Sequence, residues 1–401
     1  MWPVQWHETI RTIHGLGNPT VIVVTGGGAT AISELLAIPG ASRTIMETRV
    51  PYSQVALWEW LGKKPDQACD EHTALAMASV ACQRSQKLVE AEKSAGIRPA
   101  LDLHGRDSGL TNYVGLSCTA SLASDRPKRG DHRLFAAIQT PWSTYSYSLI
   151  LKKGARTRHE EEELTSQILV RMLAESADVN SLPSLSLLPN EMPVLEQVRA
   201  DSRLAAVRNQ HAALIWSLPD GKLSTKTPLE ICGVVCGAFD PLHHGHQELR
   251  RIAEVRLGGR VGYELSITNV DKPPLDYLSI ERRRKQFVSE PLVLTNAPRF
   301  LAKAAALPNM TFVIGSDTAE RLLNAKYDGG TQESLNAVLQ QIQDRGCRFL
   351  VACRVVSGVP LKLSDLHVPA AFQDLFEEIP ESEFRVDVSS TELRQRSSDL
   401  K

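Results

Sequence analysis

The chain has 401 residues, of which 42% are hydrophobic and 23% charged, and its formal net charge is −1. This length allows two domains with separate cores, and the near-zero charge provides no general basic field for nucleic acid. The seven cysteines are scattered, which suits a reducing compartment. The start of the chain has no apolar signal core, and no apolar stretch reaches the length of a membrane span. We therefore expect a cytoplasmic protein with neither a nucleic-acid nor a membrane partner.

The first half of the sequence alternates helical and extended patterns around one glycine turn. A β-branched run at 19–24 stops at Thr25-Gly26-Gly27-Gly28, which predicts a strand, a turn and then a helix at 29–38. The periodicity also predicts a short strand at 49–53 and helices at 6–16, 54–61 and 71–95. We therefore expect an α/β domain here.

Three short motifs in this domain resemble the C-terminal domain of the CinA family. They are Thr25-Gly26-Gly27, Pro39-Gly40-Ala41-Ser42 and Val50-Pro51-Tyr52-Ser53. In addition, Gly154-Ala155-Arg156 stands where that family places a binding arginine. Members of the family deamidate nicotinamide mononucleotide. The resemblance covers roughly residues 1–180 and implies a CinA-like α/β fold.

The departures from the family pattern predict that amidase activity is lost. The family has a nucleophilic serine where this chain has Val23, and a lysine where this chain has Leu57. Without a nucleophile and its activating base, acyl transfer loses its covalent route. The family's glycine-rich ligand loop is replaced by the segment 119–133, which is locally basic and rich in small hydroxyls. Two interpretations of this segment are open: an anion-binding loop, or a solvated charged turn.

The composition changes between the two halves. Alternation predicts a strand at 145–151, and the acidic run 159–163 predicts the start of a helix rather than a metal site. Residues 181–193 are rich in Ser, Leu, Pro and Asn, which is typical of a linker, and 195–218 favours a connecting helix. We expect a first domain, a linker with its connecting helix, and a second domain at 1–180, 181–227 and 228–401.

The second half is organised around one loop, Gly237-Ala238-Phe239-Asp240-Pro241-Leu242-His243-His244-Gly245-His246. The apolar run 231–236 predicts a central strand of a parallel sheet, and 247–257 predicts a helix. Gly237 and Gly245 let the backbone approach a ligand closely. His243 and His246 are expected near the helix N-terminus, where free N–H groups favour an anion.

This arrangement favours phosphoryl or nucleotidyl transfer, because imidazole donates hydrogen bonds to phosphate oxygens as charge develops on them. The alternatives are a surface histidine cluster and a fortuitous metal site. Either would be favoured for two histidines alone. Here strand, glycine turn, histidines and helix occur together and in the required order.

Further apolar runs deliver polar residues to the same expected edge of the sheet. Strands are predicted at 263–267, 310–314 and 348–355. The first leads to Lys272 and the second to Gly315 and Asp317, where an open α/β sheet places ligand contacts. Asp317 has a compatible alternative role as a helix cap.

The last segment of the chain predicts a second phosphate-binding element. Residues 386–394 read as a strand, a hydroxyl cluster of Ser389, Ser390 and Thr391, and the first turn of a helix carrying Arg394. Taken alone, this pattern fits a capping box.

Together these motifs resemble the HxGH nucleotidyltransferases and are most similar to nicotinamide or nicotinate mononucleotide adenylyltransferases. The resemblance covers 228–401 and implies a Rossmann-like parallel sheet. It implies that His243 and His246 polarise the reacting phosphates. It further implies that Gly315 and Asp317 contact the ATP ribose. The nucleotide-binding turn would consist of Gly237, Ala238, Phe239, Asp240 and Gly245. The triphosphate would be bound by Lys272, Ser389, Ser390, Thr391 and Arg394.

The resemblance also implies a reaction. A mononucleotide phosphate attacks the α-phosphorus of ATP and releases pyrophosphate, with Mg²⁺ bound mainly through the ATP phosphates. The expected acceptor is nicotinamide or nicotinate mononucleotide, in NAD biosynthesis. The alternatives are a transferase of the same fold that acts on another phosphorylated acceptor, such as phosphopantetheine, and a non-catalytic nucleotide sensor. The sequence leaves open a homo-oligomer.

Overall fold

The structure is a computed structural model that describes residues 2–97, 112–126, 129–269, 273–327, 330–356 and 359–384. The chain forms two compact units, Met1–Ala205 with Asp271–Ser279, and Ala206–Val270 with Ile280–Lys401. Each unit has its own sheet and its own apolar core, so the chain has a two-domain α/β fold. Among the described residues, no helix is both long and apolar enough to cross a membrane.

The first unit is built on a six-stranded sheet in the order β2-β1-β3-β4-β5-β6. Its strands are β1 Thr20–Thr25, β2 Ile45–Arg49, β3 Val114–Ser121, β4 His132–Gln139, β5 Ser143–Leu151 and β6 Val194–Arg199. β1 pairs in parallel with β2 and β3, whereas β3 to β6 form an antiparallel run. The helices are α1 Val4–Leu16, α2 Ala29–Ala37, α3 Gln54–Leu61, α4 Glu71–Ser94, α5 Arg158–Ser176 and α6 Ser202–Arg208.

Helices cover both faces of this sheet because side chains of β1 alternate between two cores. Ile22 and Val24 join the core that contains buried side chains of α1, α2 and α5. Val21 and Val23 join a second apolar cluster with α3 and α4. β1 is therefore buried on both sides, as its continuous β-branched run predicts.

The first unit also contains a segment from later in the chain. Tyr277 is fully buried there. Its backbone N–H donates to Thr144 Oγ1 at 2.9 Å, and its hydroxyl donates to the Pro141 carbonyl. Leu278 packs beside Ala137 of β4 in a small apolar cluster.

The second unit is built on an eight-stranded sheet in the order β16-β13-β12-β9-β10-β11-β7-β8. Its strands are β7 Leu214–Ser217, β8 Leu223–Ser224, β9 Ile231–Cys236, β10 Arg260–Ser266, β11 Leu292–Thr295, β12 Thr311–Gly315, β13 Arg348–Ala352 and β16 Phe376–Ile379. A separate hairpin pairs β14 Arg354–Val356 with β15 Val359–Leu361. The helices are α7 His244–Leu257, α8 Tyr277–Arg284, α9 Phe300–Ala306, α10 Ser316–Leu322 and α11 Gln332–Asp344. The last residues of α8, from Ile280, belong to this unit.

The strand order makes this a doubly wound sheet. β9 pairs in parallel with β10 on one side and with β12 on the other. The chain builds outward from β9 through β10 to β11, and then returns to add β12 and β13 on the opposite side. The predicted Rossmann-like parallel sheet is present, and its predicted central strand 231–236 has the observed bounds of β9.

Two sequence-based predictions of local structure are wrong. The expected connecting helix at 195–218 is instead β6, the short helix α6 and β7. Asp201 starts α6 by accepting the backbone N–H of Arg203 at 2.9 Å, and β7 pairs antiparallel with β11. The strand expected at 49–53 lies earlier, because β2 ends at Arg49. Pro51 has no N–H for a ladder hydrogen bond.

Candidate functional site

The histidine loop leaves the sheet at its topological switch point. It follows β9, whose two neighbours, β10 and β12, are reached by connections that run in opposite directions along the sheet. In open α/β sheets the crevice at this position, outside the carboxyl ends of the strands, is where ligands bind. The loop then enters α7, with His243 as the residue that precedes the first helical turn.

A buried aromatic cluster fixes the start of the loop. Phe239 is fully buried and adopts a φ of 48°, in the left-handed region. Its ring meets the rings of His246, Tyr263 and Phe287 edge-on, with centroids 5.0, 5.3 and 5.2 Å away. A Cβ on Gly237 would lie 2.8 Å from the Phe239 ring, so this position needs glycine.

Arg283, in the last turn of α8, and Gln286, just after that helix, hold the same loop from outside. Arg283 donates to the Ala238 carbonyl at 3.0 Å and to Asp240 Oδ2 at 2.7 Å. Gln286 donates to the Phe239 carbonyl at 3.0 Å. The predicted ligand-binding Asp240 is therefore engaged by an arginine, and Arg283 has a positioning role that the sequence motif alone did not indicate.

The two predicted catalytic histidines lie together at the N-terminus of α7. Their rings stack with centroids 3.8 Å apart. His246 Nδ1 accepts the backbone N–H of His243 at 3.3 Å, which leaves the proton of a neutral His246 ring on Nε2. Both ring nitrogens of His243 are buried and make no hydrogen bond within the described part of the chain.

The environment keeps both rings neutral. Burial, the neighbouring His243 and the charge of Arg354 lower the pKa of His246 to about 3. Burial, Arg354 and His244 lower the pKa of His243. Neutral imidazoles whose N–H groups have no partner among the described residues, beside the partial positive charge of a helix N-terminus, form a site suited to an anion.

Arg354 is a second residue that sequence reasoning missed. It follows β13, and its backbone N–H donates to Ser316 Oγ at 3.1 Å. Its Nε lies 3.8 Å from Asp317 Oδ1, and a Cβ on Gly315 would approach Arg354 Cγ to 2.8 Å. Its sequence signal was a cation at the end of the apolar run 348–355, where an open α/β sheet places ligand contacts.

The structure thus brings the predicted Gly315 and Asp317 to the carboxyl end of β12, beside Arg354. Asp317 lies inside the first turn of α10, where its Oδ2 accepts from Arg321 at 3.0 Å. It makes no capping hydrogen bond to that helix, so the alternative role predicted for it is not observed.

Five predicted triphosphate contacts lie outside the described residues: Lys272, Ser389, Ser390, Thr391 and Arg394. The described residues contain no group of three or more His, Cys, Asp or Glu side chains suited to a metal ion. Asp240 of the loop and Asp317 at the carboxyl end of β12 are each paired with an arginine.

In the first unit, the positions of the family's nucleophile and base lie in one apolar cluster. Val23 is fully buried and Leu57 is 2% exposed. Leu61, Met77 and Ala81 complete the contacts around them. Both positions therefore contribute hydrophobic packing rather than a nucleophile and its base.

The glycine turn of the first unit is occupied by the chain's own carboxylate. Glu162 of α5 accepts the backbone N–H groups of Gly28 and Thr30, both at 3.0 Å. These groups are the free donors at the N-terminus of α2, where an anionic ligand would otherwise bind. Arg158, also on α5, contacts the same glycine turn by donating to the Gly26 carbonyl at 3.0 Å.

The remaining expected ligand contacts of this unit are also engaged internally. Arg156 forms a two-pronged pair with Glu191, with distances of 2.5 and 2.8 Å. Although burial opposes it, this pairing lowers the pKa of Glu191 to about 2. In the loop expected to bind an anion or remain solvated, the Ala123 N–H donates to the buried Glu161, which also pairs with His132 at 2.7 Å.

No protein-family model matches the chain, and no curated protein matches it either. Solved structures of competence/damage-inducible proteins are similar to part of it. The competence/damage-inducible protein CihA from Agrobacterium tumefaciens is 17% identical, with a TM-score of 0.33, over 44% of this chain and 97% of that one. A competence or damage-inducible protein from Enterobacter asburiae is 13% identical, with a TM-score of 0.28, over 44% and 96%. The competence damage-inducible protein A from Klebsiella pneumoniae subsp. pneumoniae is 14% identical, with a TM-score of 0.27, over 43% and 98%.

Proposed function

We propose that the second unit transfers an adenylyl group from ATP to a pyridine mononucleotide, with release of pyrophosphate. The observation that carries the proposal is the stacked pair of His243 and His246 at the N-terminus of α7, at the switch point of a parallel sheet. The ring nitrogens of His243 make no hydrogen bond among the described residues, and with the nearby Arg354 they give this point donors and positive charge. Phosphoryl chemistry requires positioning and charge stabilisation more than covalent catalysis.

The chain's own residues would act as follows. His243 and His246 would donate hydrogen bonds to the phosphate oxygens on which charge develops, and Arg354 would stabilise the same charge. The Phe239 cluster and the Arg283 contacts would hold the loop rigid during the reaction. Lys272, Ser389, Ser390, Thr391 and Arg394 are proposed to bind the triphosphate on the strength of the sequence resemblance.

Magnesium would neutralise part of the triphosphate charge when it is bound. The residues near the loop fit an ion carried by phosphates and water, because their carboxylates, Asp240 and Asp317, are already paired with arginines.

For the first unit we propose a CinA-like domain without amidase activity. The support is the apolar packing of Val23 and Leu57 and the occupation of the glycine turn by Glu162. The loss of the nucleophile and its base at Val23 and Leu57 also favours the second candidate function, a nucleotide sensor, for this unit alone.

The test is pyrophosphate release by the full-length protein with ATP and Mg²⁺. The acceptors to be compared are nicotinamide mononucleotide, nicotinate mononucleotide and phosphopantetheine. Turnover on a pyridine mononucleotide that collapses in His246→Ala supports the proposal. Turnover on phosphopantetheine alone would replace the acceptor, and ATP binding without any pyrophosphate would favour the sensor.

A further inference from the structure

The first unit contains a cavity that is separate from the occupied glycine turn. Its volume is ≈ 640 Å³, and it is lined by the end of β2, by one face of α3 and by one face of α4. Volumes of this order are typical of small-molecule pockets. The α4 side chains that line it include Val80, Arg84 and Lys87, which share one helical face by their spacing.

The cavity has an excess of positive charge. Arg49, Arg84 and Lys87 line it, together with one carboxylate, Glu59. Lys87 makes no ion pair within the described part of the chain. With Glu47, which bridges the two arginines, these residues carry three positive and two negative charges, and the excess favours an anion over a cation.

The two arginines are held in place and still have donors to spare. Arg84 Nε donates to Glu47 Oε2 at 2.7 Å, and Arg49 Nε donates to the other oxygen of the same carboxylate. Although burial opposes it, these bonds lower the pKa of Glu47, so the bridge is ionised at neutral pH. Within the described residues, neither guanidinium uses its terminal amino groups in a hydrogen bond. Such paired groups match the geometry of a phosphate.

An indole forms the apolar side of the cavity. Trp60 lines it, and its Nε1–H is buried without a hydrogen-bond partner in the described structure. The Arg49 guanidinium lies 5.3 Å from the centroid of the Trp60 ring. A planar ligand could pack against such a ring while its charged group meets the arginines.

We propose that this cavity binds an organic phosphate monoester, with the phosphate on Arg49, Arg84 and Lys87 and a planar apolar group against Trp60. The site is independent of the adenylyl-transfer site proposed for the second unit. It uses none of the residues of that site or of the glycine turn.

The probe is phenyl phosphate, titrated calorimetrically into the full-length protein, with inorganic phosphate as the comparison. We expect a site that prefers phenyl phosphate to inorganic phosphate and that the cavity variants weaken. Arg84→Gln and Lys87→Gln should each weaken binding by about tenfold, the lower end for a charge-assisted hydrogen bond at an exposed site. Trp60→Phe, which keeps a ring and removes the N–H, should weaken it less.

Two control variants separate binding in this cavity from binding elsewhere on the protein. Arg11→Gln removes an exposed charge on α1, which packs on the opposite face of the sheet, and should leave binding unchanged. His246→Ala should also leave phenyl phosphate binding unchanged, even if it abolishes pyrophosphate release.

Several results would overturn the proposal. These are the absence of binding to the wild-type chain, equal affinity for inorganic phosphate, an equal loss in Arg11→Gln, or a loss in His246→Ala without one in the cavity variants. Lys87→Gln guards against misfolding, because Lys87 makes no ion pair in the described structure.

Discussion

The rings of His243 and His246 stack 3.8 Å apart, and the backbone of the first holds the second in a fixed orientation through His246 Nδ1. The intervening His244 is exposed. The loop therefore supplies a matched set of three histidines, of which two lie in the site and one does not.

The three histidines should differ in their contribution to the reaction rate. His243→Ala and His246→Ala should each lower the rate of pyrophosphate release by about 10²–10³-fold, the effect of removing one donor to developing charge. His244→Ala should keep a rate near that of the wild type. A loss in His244→Ala equal to that in the other two variants would mean that the loop acts through its total charge.

Arg354 should contribute to ATP binding. Arg354→Gln is expected to raise the KM for ATP by about tenfold or more, because a charge-assisted hydrogen bond contributes about 1.5–3 kcal/mol. The control is Arg321→Gln, which removes a partner of the same Asp317 from an exposed position. Equal effects of the two variants would assign the loss to Asp317.

The neutral histidines predict how stability depends on pH. His246 has a pKa of about 3 in the folded protein, below its value in the unfolded chain. The unfolded chain therefore binds more protons as the pH falls, and His246 contributes a loss of stability that begins near pH 6.5 and continues towards pH 3. Urea unfolding of wild type and His246→Gln at about pH 7.5 and about pH 5 measures this contribution. The variant should lose less stability than the wild type, and equal losses would contradict the prediction.

Glu162 should stabilise the first unit. Glu162→Ala removes both acceptors from the N-terminus of α2 and should lower the free energy of unfolding by about 1–2 kcal/mol. Glu163→Ala on the same helix is the control, because Glu163 makes no hydrogen bond among those of the described residues. A similar cost for both variants would show that helix propensity, rather than the cap, is responsible.

The apolar cluster around Val23 predicts that the first unit has no amidase activity. The full-length protein should release no ammonia from nicotinamide mononucleotide. Val23→Ser should not restore release, and should destabilise the unit by about 1–3 kcal/mol, since it places a hydroxyl in an apolar core. Ammonia release by the wild type would contradict the proposed loss of activity.

Much of the site could be predicted because the residues on both sides of the loop have clear local patterns. β-branched and apolar residues before Gly237, and helical periodicity after His246, define β9 and α7 within a few residues. The contacts of Arg354 and Arg283 could not be predicted in the same way. They depend on which strands and helices become neighbours, and that is a property of the tertiary fold.

The segment at 195–218 shows why weak local signals fail. β6 has exposed residues along most of its length, so its sequence carries no clear alternation. Its pairing with β5 determines the structure, while Asp201 and the left-handed Gln210 interrupt the helical pattern. In the first unit, the substitutions at Val23 and Leu57 were visible in the sequence. The internal partners Glu162 and Glu191 became evident only in the structure.

Asp271–Ser279 belongs to the first unit although it comes after the first part of the second unit in the chain. Because of this segment, dividing the chain at one position does not yield two fragments that each contain a whole unit. An excised fragment ending at Ala205 would lack the buried ring of Tyr277 and leave Thr144 Oγ1 and the Pro141 carbonyl without that partner. Recombination that replaced the second half of the chain would remove the same segment from the first unit. We therefore expect the two halves to be inherited together.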